Sequence, residues 1–292
     1  MTFTTALAQS INIPAVKALY LAGTDNVVAL AKAAGVTSMD NPKQYGLSLA
    51  LGAAEVRLLD LTGAYATFAN DGVRNPPVGI LEIRDKKGLV LEKFTPAPEQ
   101  AVAQGVARQV SSMLSDNQAR QPEYPPVNPF YFPDYDVAAK TGTTNESRDA
   151  WTVGYTPTIA VGVWAGNNNN TPMEKEIAGY IVAPMWREFM LEAIKKAPKE
   201  YFNEPPAIPD SAPAALRGIS SVTMPDGSMV SHSLLYWTNK DNPLGPPPFN
   251  PASDPQYYHW EFPIQMWQAG IANPQPPVGA TTTPPQATTT EE

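Results

Sequence analysis

The chain contains no cysteine, and only two histidines, His232 and His259, in 292 residues. That excludes disulfides, thiolate metal sites and a cysteine nucleophile. The two histidines are far apart and no H-E-x-x-H pattern or similar ligand pair exists, so no metal or other cofactor is expected. Charge is scarce too: 16% of residues are Asp, Glu, Lys or Arg, against about 25% in a typical soluble domain. The 28 acidic and 20 basic residues leave a net charge of −8. Such a charge set offers no broad basic surface for phosphates, so nucleic acid is not an expected partner. No run of about 18 or more apolar residues is present, and no basic segment followed by an apolar one opens the chain. Either the protein is cytosolic, or its targeting element lies outside this sequence.

Proline, by contrast, is abundant and unevenly placed. Of 32 prolines, 18 follow Lys196. Residues 1–197 read as a globular domain with ample apolar content for a core. Residues 198–272 read as a Pro-rich extension, partly docked through aromatics such as Trp237, Trp260 and Trp267. Residues 273–292 are low in complexity and expected to be disordered.

Within the first part, Leu58, Leu61, Tyr65 and Phe68 are spaced as one helix face, and Asn70-Asp71-Gly72 ends that helix. Val102, Val106, Val110 and Met113 predict a second apolar stripe. Pro184 opens a third helix, with Trp186, Phe189, Met190 and Ala193 on one side. Leu81–Ile83 and Leu89–Leu91 flank a turn and read as a hairpin. Val137–Thr144, Ala150–Tyr155 and Thr158–Ala165 read as strands. The expectation is an α/β sandwich with a mainly antiparallel sheet flanked by helices.

Three spots carry possible chemistry. Ser10 and Asn12, two residues apart ahead of a helix, can both enter a cleft, although Asn12 also suits a plain helix cap. On a strand, Thr141 and Thr143 share one side, and two hydroxyls near Lys140 make a carboxylate-binding edge. Gly142 leaves room for a ligand against the backbone. Glu146 and Asp149 offer a carboxylate pair by proximity alone; a solvated turn is the simpler reading.

Order and flanks narrow these options. Ser10-x-Asn12, followed far downstream by Lys140-Thr141-Gly142 on a strand, is two thirds of the active-site signature of penicillin-interacting serine enzymes. Ala6-Leu-Ala-Gln-Ser-Ile-Asn-Ile-Pro-Ala-Val16, Leu49-Ala-Leu-Gly52, Ala64-Tyr-Ala-Thr-Phe-Ala-Asn70, Ala139-Lys-Thr-Gly-Thr-Thr-Asn145, Asp149-Ala-Trp151, Val153-Gly-Tyr-Thr-Pro157 and Val161-Gly-Val-Trp-Ala-Gly-Asn167 resemble class A penicillin-binding proteins, over about residues 1–197. The resemblance implies a D,D-transpeptidase domain that cross-links peptidoglycan stem peptides, joining a D-Ala-D-Ala donor to an acceptor amine, and is trapped by β-lactams. By motif it gives Ser10 a proton-relay role, Asn12 a hold on the substrate amide, and Lys140 the local electrostatics. Thr141 and Thr143 would bind the donor carboxylate, and the Thr143 N–H would form half the oxyanion hole.

The family's Ser-x-x-Lys motif, with the nucleophile and its activating lysine, has no counterpart: no serine in the chain is followed by lysine three positions later. The expectation is therefore the C-terminal part of a longer protein, with Met1 internal or a mis-called start, inactive by itself. The parent would sit at the extracytoplasmic face of a bacterial membrane behind an N-terminal anchor. Two alternatives stay open: a serine β-lactamase or D,D-carboxypeptidase relative, and a non-catalytic module that binds stem peptides or acts as a scaffold.

Overall fold

The computed structural model describes residues 2–121, 123–173, 178–212, 214–217, 219–223, 229–233, 242–245, 257–268 and 270. The chain divides into two compact units, Met1–Ala207 and Ile208–Glu292.

The first unit opens with three helices, α1 (Phe3–Ala8), α2 (Asn12–Ala22) and α3 (Thr24–Ala33). Gly23 separates α2 from α3 with φ 81°, and its N–H satisfies Leu19 O as a C-cap. Two 3-10 turns, Pro42–Gln44 and Leu47–Leu51, lead to α4 (Leu58–Ala69). The Asn70-Asp71-Gly72 stop works as its residue types suggest: Asn70 caps the helix, and Asp71 and Gly72 take positive φ. Next come β1 (Val73–Arg74), the hairpin strands β2 (Glu82–Arg84) and β3 (Val90–Lys93), and β4 (Glu99–Gln100), which pairs with β1. The hairpin turn is tied by Asp85, whose carboxylate accepts from Lys87 N–H and Leu89 N–H.

Helix α5 (Gln104–Ser115) precedes a long irregular segment and the main sheet, β5 (Ala138–Thr143), β6 (Asp149–Thr156) and β7 (Ile159–Gly166). The three strands are antiparallel in the order β5-β6-β7. Helices α6 (Ala178–Ile181) and α7 (Ala183–Ala193) close the unit. The result is an α/β fold with an antiparallel sheet between helices, as the sequence predicts.

Two glycines let the helices approach. A Cβ on Gly162 would lie 2.1 Å from Thr62 Oγ1 of α4, and one on Gly154 would lie 2.4 Å from the Trp186 ring of α7. The α7 face carries the larger core: Trp186 and Met190, both fully buried, with Phe130, Phe132, Val137, Ala139 and Val161. Trp186 Nε1 donates to Val161 O at 3.0 Å, so its one polar atom is satisfied. On the other face Tyr155 packs with Leu114, Ala138, Tyr65 and Phe68, and its hydroxyl meets Ser111 Oγ at 3.0 Å.

Three expectations need correction. Helix α5 buries Ala107, Ser111 and Leu114, and of the expected stripe only Val110 packs beside them; Val106 is exposed, and Val102 is buried ahead of the helix. Phe189 is exposed, because the face of α7 that turns to the sheet carries Ala183, Trp186 and Met190. Asn12 is the first residue of α2 and not its cap: Ile11 holds the cap position, with no side-chain hydrogen bond.

In the second unit, α8 (Ala214–Arg217) precedes the antiparallel pair β8 (Ile219–Thr223) and β9 (Met229–Ser233), and α9 (Tyr257–Gln268) follows. Trp237 and the tail 273–292 lie outside the described residues, as do the side chains of Trp260 and Trp267.

Candidate active site

Helix α1 ends in a reversed turn: Ile11 N–H reaches back to Ala6 O at 2.9 Å, and Ser10 N–H to Leu7 O at 3.2 Å. This is the Schellman pattern, whose left-handed residue is usually glycine. Here it is Ser10, with φ 57°. The turn leaves Ser10 exposed at the junction of α1 and α2.

There it meets β5. Lys140 Nζ hydrogen-bonds to Ser10 Oγ, 130 residues away in sequence, and donates to Thr141 O at 2.9 Å. Desolvation first, and the positive charge of Arg120 second, push the Lys140 pKa down to about 8, while Glu123 opposes the shift. A lysine in that range exchanges protons near neutral pH, which an ordinary lysine does not.

The edge of β5 has a definite hydrogen-bonding pattern. Thr144 N–H donates to Asp149 O, so the even-numbered residues of β5 face β6. The N–H and C=O of Ala139, Thr141 and Thr143 therefore point to the free edge. Two contacts agree with this: Arg120 Nη2 lies 3.5 Å from Ala139 O, and Lys140 Nζ holds Thr141 O. The Thr143 N–H faces the same open side.

Side chains alternate about this edge. Lys140 and Gly142 lie on the face that carries Trp151 and Trp164, whose rings are 6.3 Å apart. Thr141 and Thr143 lie on the other face. Thr141 Oγ1 is 3.4 Å from the Tyr124 hydroxyl. Thr143 Oγ1 accepts from Ala178 N–H at 2.9 Å, which leaves its own proton to donate to a ligand. The two hydroxyls thus share a side, as expected, but not with the lysine; what joins the three is the strand edge. Asn12 stands exposed one turn residue beyond Ser10.

The proposed carboxylate pair is engaged elsewhere. Glu146 pairs with Arg148, and Asp149 accepts from Trp164 Nε1 at 2.9 Å and from Thr144 Oγ1 at 3.1 Å. A cleft of about 140 Å³ lies at the opposite end of the sheet, lined by Phe68, Asp71, Arg108, Pro157 and Phe202 among others. Two of its charged residues satisfy each other, because Arg108 grips Asp71 with two hydrogen bonds. Three residues that bear on the Ser10–Lys140 pair were not foreseen: Gln9, Arg120 and Glu123. Gln9 Nε2 donates to Ala119 O at 2.9 Å and Gln121 O at 2.5 Å, anchoring the turn that carries Ser10. Among the described residues, no helix is long and apolar enough to cross a membrane.

Comparison with known proteins gives these features a family. The family model described as penicillin binding protein transpeptidase domain matches residues 1–190. Penicillin-binding protein 1A of Aquifex aeolicus is 38% identical over 211 residues, covering 70% of this chain and 27% of that protein. Penicillin-binding protein 2D of Bacillus subtilis is 32% identical over 212 residues, 71% of this chain and 30% of its own length. The chain thus spans less than a third of these relatives. Among solved structures, the penicillin-binding protein PonA1 of Mycobacterium tuberculosis superposes with a TM-score of 0.62 at 25% identity, over 70% of this chain and 59% of that one. PonA1 has also been solved in complex with penicillin V. The motifs, the antiparallel sheet and the matched residues agree, and the chain belongs to the penicillin-binding protein transpeptidase domain family.

Proposed function

We propose that this chain forms the donor-binding edge and proton relay of a class A peptidoglycan D,D-transpeptidase. The observation that carries the reading is the Lys140–Ser10 contact set beside the open N–H of Thr143. A D-Ala-D-Ala donor lies along β5, its terminal carboxylate near the Thr141 and Thr143 hydroxyls, its amide near Asn12. A serine nucleophile attacks the penultimate carbonyl, and negative charge develops on that oxygen. The Thr143 N–H donates to it, a contact worth most in the transition state. Collapse of the intermediate breaks the peptide bond. The serine's own proton goes to the lysine of its motif, and the departing D-Ala amine takes a proton delivered through Ser10 Oγ from Lys140. An acceptor amine then attacks the acyl-enzyme, gives its proton back along the same relay, and expels the serine, which regains its proton from the motif lysine. β-Lactams enter as mimics of the donor.

The nucleophile belongs to a Ser-x-x-Lys motif that this sequence does not contain. Covalent catalysis without it is a different and far slower process, so the chain by itself is inactive in this reading. A protein that joins this domain to that motif would work at the extracytoplasmic face of the bacterial membrane. The absent motif also favours a second reading, a module that holds stem peptides reversibly.

The test uses the purified chain with diacetyl-Lys-D-Ala-D-Ala and with benzylpenicillin. Amide NMR is expected to show saturable shifts centred on Thr141–Thr143, absent with the L-Ala-L-Ala isomer. Intact-mass measurement is expected to show no penicilloyl adduct. Shifts confined to other residues, or none, would overturn the donor-edge assignment, and a covalent adduct would overturn the inactivity. A module that only binds would show the same shifts in a full-length parent that forms no adduct.

A further inference from the structure

The chain neighbours of the two central residues, Gln9 and Ala139, are held by one short segment, residues 119–121. Gln9 grips the carbonyls of Ala119 and Gln121, the residues on either side of Arg120. Arg120 is itself 3% exposed. Its Nη2 donates to Leu114 O in the last turn of α5, a carbonyl left over by the helix, and lies 3.5 Å from Ala139 O on the free edge of β5. The Phe130 ring lies 5.4 Å from its guanidinium carbon. No carboxylate pairs with it among the described residues; Asp116 and Tyr124 act on it only at a distance. Burial lowers its pKa to about 10, which still leaves it a cation at neutral pH.

A buried, unpaired guanidinium is costly. Its partner Ala139 O and the carbonyl that Lys140 Nζ holds, Thr141 O, are successive acceptors on the free edge of β5, so the guanidinium stands near a second cation, which adds to that cost. Two charges bear on Lys140 Nζ: Arg120, which opposes protonation, and Glu123, which favours it. Its other contacts, Ser10 Oγ and Thr141 O, are neutral.

We propose that Arg120 is a positioning residue for the Ser10–Lys140 pair, tying the lysine's strand to the segment that anchors Gln9 and setting a fixed second cation beside the lysine. Its purpose rests on the transpeptidase reading; its geometry does not. With the cation in place, Lys140 gives up its proton more readily to Ser10 Oγ, and the two side chains keep one separation because both are referred to residues 114–121.

The experiment reads ionisation directly in the folded chain. Lysine is labelled with 13C at Cε and arginine with 15N in the side chain, and the Lys140 signal is identified by its loss in Lys140→Met. Lys140 is expected to titrate near pH 8, and the Arg120 Nη signal to shift at the same midpoint, a step that Lys140→Met abolishes. Arg120→Gln is expected to raise the Lys140 midpoint by about one pH unit. A merely structural role would not move that midpoint in a folded variant. Three results would each overturn the proposal: a wild-type midpoint near the ordinary lysine value, an Arg120 signal blind to Lys140 ionisation, or a folded Arg120→Gln with the wild-type midpoint. The first two need no variant of Arg120, so a failure of Arg120→Gln to fold leaves the test intact. No substrate is used, so any of them would leave the donor-edge reading to its own test.

Discussion

At the scale of single residues, the lysine of the site sets a pH signature. Lys140 has its pKa lowered to about 8 in the fold, chiefly by desolvation, whereas the unfolded chain holds that proton up to about 10.4. Between these values the unfolded state binds more protons, so this residue's contribution to stability rises with pH. Below pH 8 the fold carries a charge that its surroundings disfavour. Urea midpoints of the wild type and Lys140→Met, compared from pH 7 to 10, are therefore expected to converge or cross as pH rises. Parallel curves would show a fully solvated lysine. The motif residues themselves were legible, because Ser10, Asn12 and Lys140 through Thr143 are fixed by identity and order. Arg120 and Gln9 were not. They act on backbone carbonyls, which any residue supplies, so no partner type marks them in the sequence.

At the scale of elements, the sheet is placed by what its glycines admit. Gly154→Ala would set a Cβ 2.7 Å from Ala138 O, a backbone atom that cannot turn aside, and against the Trp186 ring. The expected cost is about 1–3 kcal/mol, an overpacking penalty read from chemical denaturation. Strands β5, β6 and β7 were readable because β-branched and aromatic runs alternate there between turns. The buried side of helix α5 only partly follows the apolar stripe, for a physical reason. Its buried side includes Ser111, which a search for apolar residues passes over, yet Ser111 is buried because Tyr155 offers its hydroxyl a partner. Of the valines, Val110 packs against the same cluster, Val102 lies before the helix and Val106 faces solvent. Phe189 misled in the same way, since size alone does not say which side of α7 meets the sheet.

At the scale of the molecule, a large apolar surface remains in view. The hairpin β2–β3 and its flanks expose Ile80, Leu81, Leu89 and Leu91, each more than 60% accessible. A two-stranded hairpin is marginal in water unless something packs on it, and a patch of this kind favours association. Sedimentation velocity is expected to show self-association that grows with concentration. Leu81→Lys with Leu91→Glu is expected to reduce it without lowering the melting temperature. An unchanged sedimentation profile would place the sticky surface elsewhere. The division at Ala207 was not legible to the residue: the composition break at Lys196 marks where prolines accumulate, whereas Phe202 still packs edge-to-face on Tyr155 with ring centroids 5.5 Å apart.

The left-handed backbone at Ser10 sets two kinds of selection against each other. Glycine is the residue that such a turn accepts at least strain, by about 1 kcal/mol, and it would erase the hydroxyl that Lys140 reaches. If Ser10 serves the proton relay proposed above, use and not stability holds serine at this turn, since glycine there would relieve the strain. A survey of relatives tests this: serine is expected where the whole site is complete, and glycine is expected to be tolerated where it is not.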